Sequence, residues 1–200
     1  MGKTKEQMSF NVINIVDLLN SVGEEEVRSA LFEFKCSKNS EIEDFLKNNA
    51  IDFAKRKISV THLILDDNGQ IAAYFTLTHK PSNVSASSLS KSAVKTLSRY
   101  AILDKDSNSF NISAFLIAQF GKNSAYTGSK NISGKRMMSL CFEILESVQK
   151  QVGGGIAFLE CEDKKQLLNF YQNENNRFRI FGERFSETEG KKYIQLLRFF

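Results

Sequence analysis

The hydrophobic and polar positions of the chain repeat with two different periods, and these periods predict helices and strands in succession. Apolar residues recur at helical spacing over roughly 40–57, where Ser40 and Glu43 have the spacing of a capping box. After Gly134, a longer apolar stripe runs from Met137 to Val152 and stops at Gly153, the first of three consecutive glycines. Both segments are therefore predicted to be amphipathic helices.

Runs of β-branched and aromatic residues predict the strands. Val60 to Leu65 and Ile71 to Thr78 flank a turn sequence that ends in Asn-Gly, and they predict an antiparallel hairpin with His79 at its end. Near-continuous apolar runs predict two buried strands, and two closing strands are expected near the end of the sequence. These further strands are predicted over 112–120, 156–161, 178–184 and 192–199.

Shorter signals complete the predicted order of elements. Asn11 to Leu19 is expected to be a strand that leads into a helix, with Gly23 as its stop. The segment from Pro81 to Ser88 is expected to be a mobile connection, followed by a helix over roughly 89–101. Asp163 is expected to cap a helix that carries Leu167, Phe170 and Tyr171 on one face.

This order predicts a mixed α/β protein with a largely antiparallel sheet. A strand, an amphipathic helix and a second strand follow one another between 112 and 161, and such a unit favours one right-handed parallel crossover. No internal repeat or linker divides the chain, and 42% hydrophobic content in 200 residues suits one core. Residues 1–200 are therefore expected to form a single domain.

Composition narrows the classes of function. The net charge of +4 is spread among interleaved acids and bases, so it does not require nucleic acid as a partner. The polar start lacks a signal peptide or membrane span, which predicts a cytoplasmic protein without membrane association. The three cysteines, Cys36, Cys141 and Cys161, lack metal-ligand spacing, so we expect reduced thiols and no metal site.

One charged pattern has two interpretations. Lys91, Lys95 and Arg99 are spaced at i, i+4 and i+8 and form a basic stripe on the helix predicted there. The stripe is either a solvated helix face or an electrostatic guide for an acidic substrate or a nucleotide.

Several segments together resemble the GNAT superfamily of N-acetyltransferases, over roughly residues 30 to 185. Residues 115–121, the polar loop that runs from there to Gly134 and the helix behind that loop are similar to the acyl-CoA-binding half of that family. The similarity to this half continues over 156–163 and 168–171. The amino-terminal half of bacterial members is similar to 34–36, 44–46 and 71–77. The resemblance implies a sheet of six to seven strands with helices on both faces and a splayed central strand pair.

The resemblance also implies acetyl-CoA as cosubstrate. Backbone groups left unpaired by the splayed strands must find partners, and the amide-bearing pantetheine arm supplies them. The pyrophosphate is expected at a helix amino terminus. By resemblance, Ile117, Ala118 and Gln119 line the pantetheine arm, and Asn131, Ile132, Ser133, Gly134 and Lys135 hold the pyrophosphate. Of the family's loop pattern only the final glycine, Gly134, is kept, because Ser129 and Ile132 stand at the other two positions.

Catalysis is expected to need an acid and a base. Tyr171 resembles the tyrosine that protonates the departing thiolate of CoA, whereas its alternative interpretation is a core aromatic residue. Glu160, Glu162 and His79 are the candidates for the base that accepts the proton of the amine, and Glu160 is our first choice. No metal is needed.

The leading hypothesis is direct acetyl transfer from acetyl-CoA to a primary amine. The acceptor is a small amine, a peptide or protein amine, or the aminoacyl end of a charged tRNA, and the protein is a monomer or a homodimer. The alternative is a catalytically degenerate GNAT-like module that binds acyl-CoA or a protein partner, which the eroded loop pattern favours. A third hypothesis is a nucleic-acid-binding protein.

Overall fold

A computed structural model describes residues 10–128 and 131–200, and its elements follow the predicted order. The helices of these residues are α1 (Ile15–Val22), α2 (Glu24–Phe32), α3 (Ser40–Asp44), α4 (Ala50–Lys55), α5 (Lys91–Leu97), α6 (Gly134–Val152) and α7 (Lys165–Gln172), with a π-helical turn (Phe45–Asn49) between α3 and α4 and a 3-10 turn at Ala86–Ser88. The strands are β1 (Asn11–Asn14), β2 (Val60–Leu65), β3 (Ile71–Ser85), β4 (Leu103–Asp104), β5 (Ser109–Lys122), β6 (Ile156–Glu162), β7 (Arg179–Ser186) and β8 (Lys191–Phe199).

The chain divides into two compact units built from interleaved stretches. The first unit comprises residues up to Thr78 together with Gln119–Glu143, and the second comprises His79–Ala118 and Ile144–Phe200. That 1–200 forms a single domain stays a prediction. Of the described helices, none is long and apolar enough to cross a membrane.

In the first unit, β1, β2 and β3 form an antiparallel meander. The hairpin predicted between β2 and β3 is confirmed, with Val60 opposite Leu77 and Leu65 opposite Ile71. The Asp66 carboxylate closes the turn by accepting hydrogen bonds from the backbone N–H groups of Asn68 and Gln70, each at 2.9 Å. Helices pack against this meander around a buried core. The fully buried members of that core include Ile15, Leu31, Phe34, Leu46, Leu63 and Tyr74.

In the second unit, β5 pairs with β4 antiparallel and with β6 parallel, and β6, β8 and β7 continue antiparallel. The strand order is β1-β2-β3-β5-β6-β8-β7, with β4 beside β5. The mixed, mostly antiparallel sheet with one parallel crossover is therefore confirmed. The described residues form eight strands rather than six to seven, because the two-residue β4 is too short to show a pattern.

One face of the second unit's sheet packs against α5. Ala114, Ile156, Phe158 and Phe181 form an apolar core there with Leu97 of α5. We call this side the α5 face. Since side chains alternate along a strand, Leu116 and Glu160 are on the α5 face, whereas Phe115, Ile117 and Leu159 are on the opposite face.

The predicted connection at Pro81–Ser88 is wrong, because β3 continues to Ser85. Both β2 and β3 are fully described, and the register between them stops at Leu77. Proline is tolerated at position 81 because a backbone N–H that donates to β2 is not required there. His79 therefore lies inside a strand and not at its end.

Two predicted caps and one helix also differ. Asn39, rather than Ser40, caps α3 through its side chain, and Glu43 accepts a hydrogen bond from the Cys36 N–H instead of closing a capping box. The cap position of α7 is Lys164 and not Asp163. The pattern did not indicate α2, because the helix begins with three glutamates and most of its apolar residues are gathered at its end.

His62 is the buried histidine of the first unit. Its ring stacks on Phe75, its cross-strand neighbour, with the centroids 5.2 Å apart. Burial lowers the pKa of His62 from 6.5 to about 4, so the folded chain holds the imidazole neutral. Below pH 6.5 the unfolded chain binds more protons than the folded chain.

We therefore expect stability to fall as the pH falls from about 6.5 to about 4, with a loss of about 3 kcal/mol attributable to His62. His62→Gln should remove most of this pH dependence in urea unfolding curves recorded across that range. His79→Gln is the matched control because His79 is exposed. An unchanged pH dependence in His62→Gln would contradict the assignment.

Candidate active site

The parallel strands β5 and β6 separate soon after they meet. Their register joins Phe115 with Ala157 and Leu116 with Phe158, and within these two fully described strands it ends there. On its other edge, β6 pairs with β8 over its whole length, from Ile156 to Glu162. Strand β6 therefore stays ordered while its edge toward β5 opens, as the predicted splayed pair requires.

Ile117 and Ala118 are the first residues of β5 beyond this register. Ile117 is buried and Ala118 is exposed, consistent with side chains on opposite faces of the sheet. Gln119, half-buried, follows on β5 and belongs to the first unit. Backbone N–H and C=O groups at a strand opening need partners, and an extended ligand with its own amides provides them.

In the first unit, the start of α6 combines a side-chain cap with two cations. The Ser133 hydroxyl accepts a hydrogen bond from the Arg136 N–H at 3.1 Å, and the side chain of Ile132, just before the helix, is buried. The first turn contains Lys135 and Arg136 and no acid. The positive end of the helix dipole disfavours cations, so an anion bound at this turn would offset an unfavourable arrangement.

The rest of the predicted pyrophosphate loop is described in part. Gly134 begins α6, as predicted, and Asn131 is exposed just before it. Lys135 is exposed. Ser129, which stands at a position of the family's loop pattern, lies outside the described residues.

Tyr171 is fixed by aromatic packing in the second unit. It lies on α7, which begins just after β6 and contacts that strand. Its ring packs edge to face against Phe170 and Phe178, with centroid distances of 5.0 and 5.9 Å, and its side chain is only 7% exposed. The Phe178 N–H also donates to the Tyr171 carbonyl at 3.0 Å. The ring has little rotational freedom, which suits a side chain whose reactive group must be held in one position.

Glu160 lies on β6, two positions beyond its last pair with β5, on the α5 face. Its carboxylate accepts hydrogen bonds from Arg184 Nη2 at 2.8 Å, Arg184 Nε at 3.1 Å and Gln195 Nε2 at 2.7 Å. Burial raises the pKa of the Glu160 carboxyl, but the bonds from Arg184 and Gln195 outweigh it and hold that pKa below the usual value. A carboxylate with a lowered pKa accepts a proton less readily, which weakens the prediction that Glu160 is the base.

The other two candidate bases also have partners. Glu162 pairs with Lys164 and Lys191, and the hydrogen bond from Lys164 lowers the pKa of Glu162. His79 is hydrogen-bonded to the Ser113 hydroxyl, with 3.1 Å from Nε2 to Oγ, and its ring contacts Phe115. Since Phe115 lies opposite the α5 face, His79 and Glu160 are on different faces of the sheet.

The pattern did not indicate Asn123, which anchors the segment between β5 and α6 in the first unit. Its Nδ2 donates to the Ile71 carbonyl at 2.7 Å, and its Oδ1 accepts from the N–H groups of Lys35 and Ala125. Nearby, the Tyr126 hydroxyl donates to the Asp66 carboxylate at 3.0 Å. An asparagine just past a strand is the only sequence signal for such an anchor.

Comparisons with solved structures identify the fold. A structure of AtaT complexed with acetyl-methionyl-tRNAfMet is 18% identical, with a TM-score of 0.63, over 96% of this chain and 94% of that chain. A mutant of KacT is 14% identical, with a TM-score of 0.57, over 96% and 95%. A structure of AtaTR bound with AcCoA is 14% identical, with a TM-score of 0.55, over 95% and 92%.

No protein-family model matches the chain, and a search of curated proteins also gives no match. At these identities the structural likeness establishes the fold. The chain has the fold of the GNAT acetyltransferases, which confirms the fold predicted from the resemblance.

Because Asn123 makes three side-chain hydrogen bonds to backbone groups, we expect Asn123→Ala to lower the free energy of unfolding by about 2 kcal/mol, measured by urea denaturation. Asn111→Ala is the matched control, since the Asn111 side chain accepts one exposed hydrogen bond from Asn83. Equal losses in the two variants would refute the anchoring role.

Proposed function

We propose that the chain is an N-acetyltransferase that moves the acetyl group of acetyl-CoA directly to an α-amine, with the aminoacyl end of a charged tRNA as the acceptor. The likeness to AtaT structures that contain acetyl-CoA and acetyl-methionyl-tRNAfMet supports this choice of substrates. We further propose that it acts in a bacterial cytoplasm, where both compounds are available, as a monomer or a homodimer.

The opening between β5 and β6 is the observation that carries the proposal. A parallel pair that stops after two register positions, while β6 stays fully paired with β8, leaves a stable gap rather than a frayed end. We assign Ile117, Ala118 and Gln119 to the pantetheine arm, whose amides can pair with exposed strand edges. Such a grip needs few charged ligands, in keeping with the sequence of β5.

We assign the pyrophosphate to the start of α6. Its backbone N–H groups, the Ser133 cap and Lys135 suit a doubly charged phosphate group, whereas Arg136 is paired with Glu143. The residues assigned there are Asn131, Ile132, Ser133, Gly134 and Lys135. A protein that keeps only the final glycine of the loop pattern can still bind the pyrophosphate, because backbone N–H groups make most of the contacts with it.

The reaction requires one proton at sulfur. The amine attacks the thioester carbonyl, a C–N bond forms and the C–S bond breaks, and the leaving thiolate takes a proton from a nearby acid. We assign that acid to Tyr171, whose ring is held by Phe170 and Phe178. The phenolate regains its proton from solvent, and the attacking nitrogen loses one proton to solvent as the neutral amide forms.

The candidate bases favour an α-amine over a lysine side chain. Both Glu160 and Glu162 are held ionised by neighbouring cations or amides and are weak proton acceptors. A lysine amine has a pKa of about 10.4, whereas an α-amine has a pKa of about 8 and is partly neutral at pH 7. An acceptor that is already partly neutral needs no strong base. Glu160 fits better as a group that positions Arg184 and Gln195.

The second hypothesis, a degenerate module that binds acyl-CoA without transferring acetyl groups, is favoured only by the altered loop between β5 and α6. Calorimetry with acetyl-CoA combined with release of free thiol distinguishes the two, because a binding module gives heat of binding without thiol release in the presence of acceptor.

Tyr171→Phe should lower kcat on the order of 10²–10⁴-fold while the Kd for acetyl-CoA stays within about threefold, because only the proton donor is lost. Thiol release and calorimetry measure the two quantities. Tyr193→Phe, which removes a hydroxyl bonded to Glu189 on the same unit, is the control and should retain kcat. A retained kcat in Tyr171→Phe would exclude Tyr171 as the acid.

The acceptor class can be tested with three acceptors at equal concentration: an aminoacyl-tRNA, an amino acid methyl ester and a lysine blocked at its α-amine. We expect transfer to both α-amines near pH 7 and at least about 100-fold slower transfer to the lysine, because so little of it is neutral. A preference for the lysine would contradict the proposed acceptor.

A further inference from the structure

We propose that α5 and the residues around it bind the phosphate backbone of the RNA that carries the acceptor amine. We call this region the basic segment, residues 79–100. The inference rests on the proposed function for its choice of RNA, but it concerns a surface of the second unit that the catalytic assignment does not use.

The basic segment lies within a long stretch without acids. Residues 68–103 contain no Asp or Glu, although the chain as a whole has 23 acids in 200 residues. The same stretch contains four cations, which are Lys80, Lys91, Lys95 and Arg99. Its local charge is therefore wholly positive, unlike the interleaved charges elsewhere.

Three of the four cations of the basic segment are also not neutralised by folding. Among the described residues, Lys91, Lys95 and Arg99 make no ion pair within 4 Å and are exposed. On α2 and the π-helical turn of the first unit, by contrast, Arg28 is paired with Glu24 and Lys47 with Glu43. The unpaired cations are available for an anionic ligand.

The geometry of α5 presents these cations together. Ala93 and Leu97 turn inward, so Lys91 and Lys95 share the outward side and lie about 6 Å apart along the helix axis. Arg99 follows in the turn after the helix, where its N–H bonds to the Thr96 carbonyl. The Ser92 hydroxyl, exposed beside them, adds a neutral polar group of the kind that contacts phosphate.

The net charges of the two units also support binding of an anionic ligand by the second unit. The second unit contains 14 basic and 10 acidic residues, whereas the first contains 13 of each, so the net charge of +4 falls on the second unit. Glu160, an acid of the α5 face that interacts electrostatically with Lys80, is already paired with Arg184. An approaching polyanion therefore meets no uncompensated acid at that position.

An RNA fits this surface better than a lipid membrane. A helix that lies on a membrane inserts its apolar side, but the apolar side of α5 is buried in the core of the second unit. Only the charged and polar side faces outward. That side suits phosphates held by electrostatic attraction without insertion.

The test is the binding of uncharged tRNA to the full chain, measured by fluorescence anisotropy over about 50 to 200 mM salt. We expect Lys91→Gln/Lys95→Gln to weaken binding about tenfold or more and to reduce the salt slope by about 2, one for each lost phosphate contact. Lys105→Gln/Lys150→Gln, which removes the same charge from the same unit, is the control and should bind as the wild type does. Circular dichroism verifies folding of each variant.

If the Lys91→Gln/Lys95→Gln variant bound RNA with the same affinity as the wild type, the inference would be overturned. So would binding of anionic vesicles through these lysines in the absence of RNA binding. Because uncharged tRNA contains no acceptor amine, this assay is independent of catalysis. Failure of the proposed function would instead be seen as absence of thiol release with an amino acid ester.

Discussion

The parallel pairing of β5 with β6, and its early end, is the constraint on which the rest of the second unit depends. Two register positions are enough to fix the direction and order of the strands, while the complete antiparallel ladder between β6 and β8 keeps β6 paired over its whole length. A strand with one full ladder can leave its other edge open without fraying. The opening between β5 and β6 is thus a property of the strand pairing. The side chains that line the opening need only leave room for a ligand.

Much of the fold follows from the sequence because its signals are local. The long stripe of α6, its end at Gly153 and the Asn-Gly turn between β2 and β3 are set by residues close in the chain, and all three are found where expected. The extension of β3 through Pro81 was not predictable in this way. It depends on which strand lies alongside, and β2 does not extend far enough to require the missing N–H.

The candidate site was predictable in part for the same reason. The beginning of α6 and the strand from Phe115 to Gly121 carry recognisable patterns, so their residues could be named. The partners of Glu160 could not, because Arg184 and Gln195 come from β7 and β8 and meet the carboxylate only through sheet register. Asn123 escaped prediction since its bonds reach residues 52 and 88 positions away.

Ion pairing distinguishes charged side chains that stabilise the fold from charged side chains that are free to bind a ligand. Where a carboxylate and a cation are joined, as at Glu160 and Arg184 or Glu43 and Lys47, each charge is satisfied within the fold and changes little when a ligand arrives. Where cations stand without a paired acid, as Lys135 does at the start of α6 and Lys91 and Lys95 do on α5, charge repulsion is left uncompensated, and Lys135 and Lys91 also lie at the positive end of a helix dipole. A bound phosphate removes both costs, so these unpaired cations, and not the ion-paired glutamates, are where affinity for anionic substrates should arise.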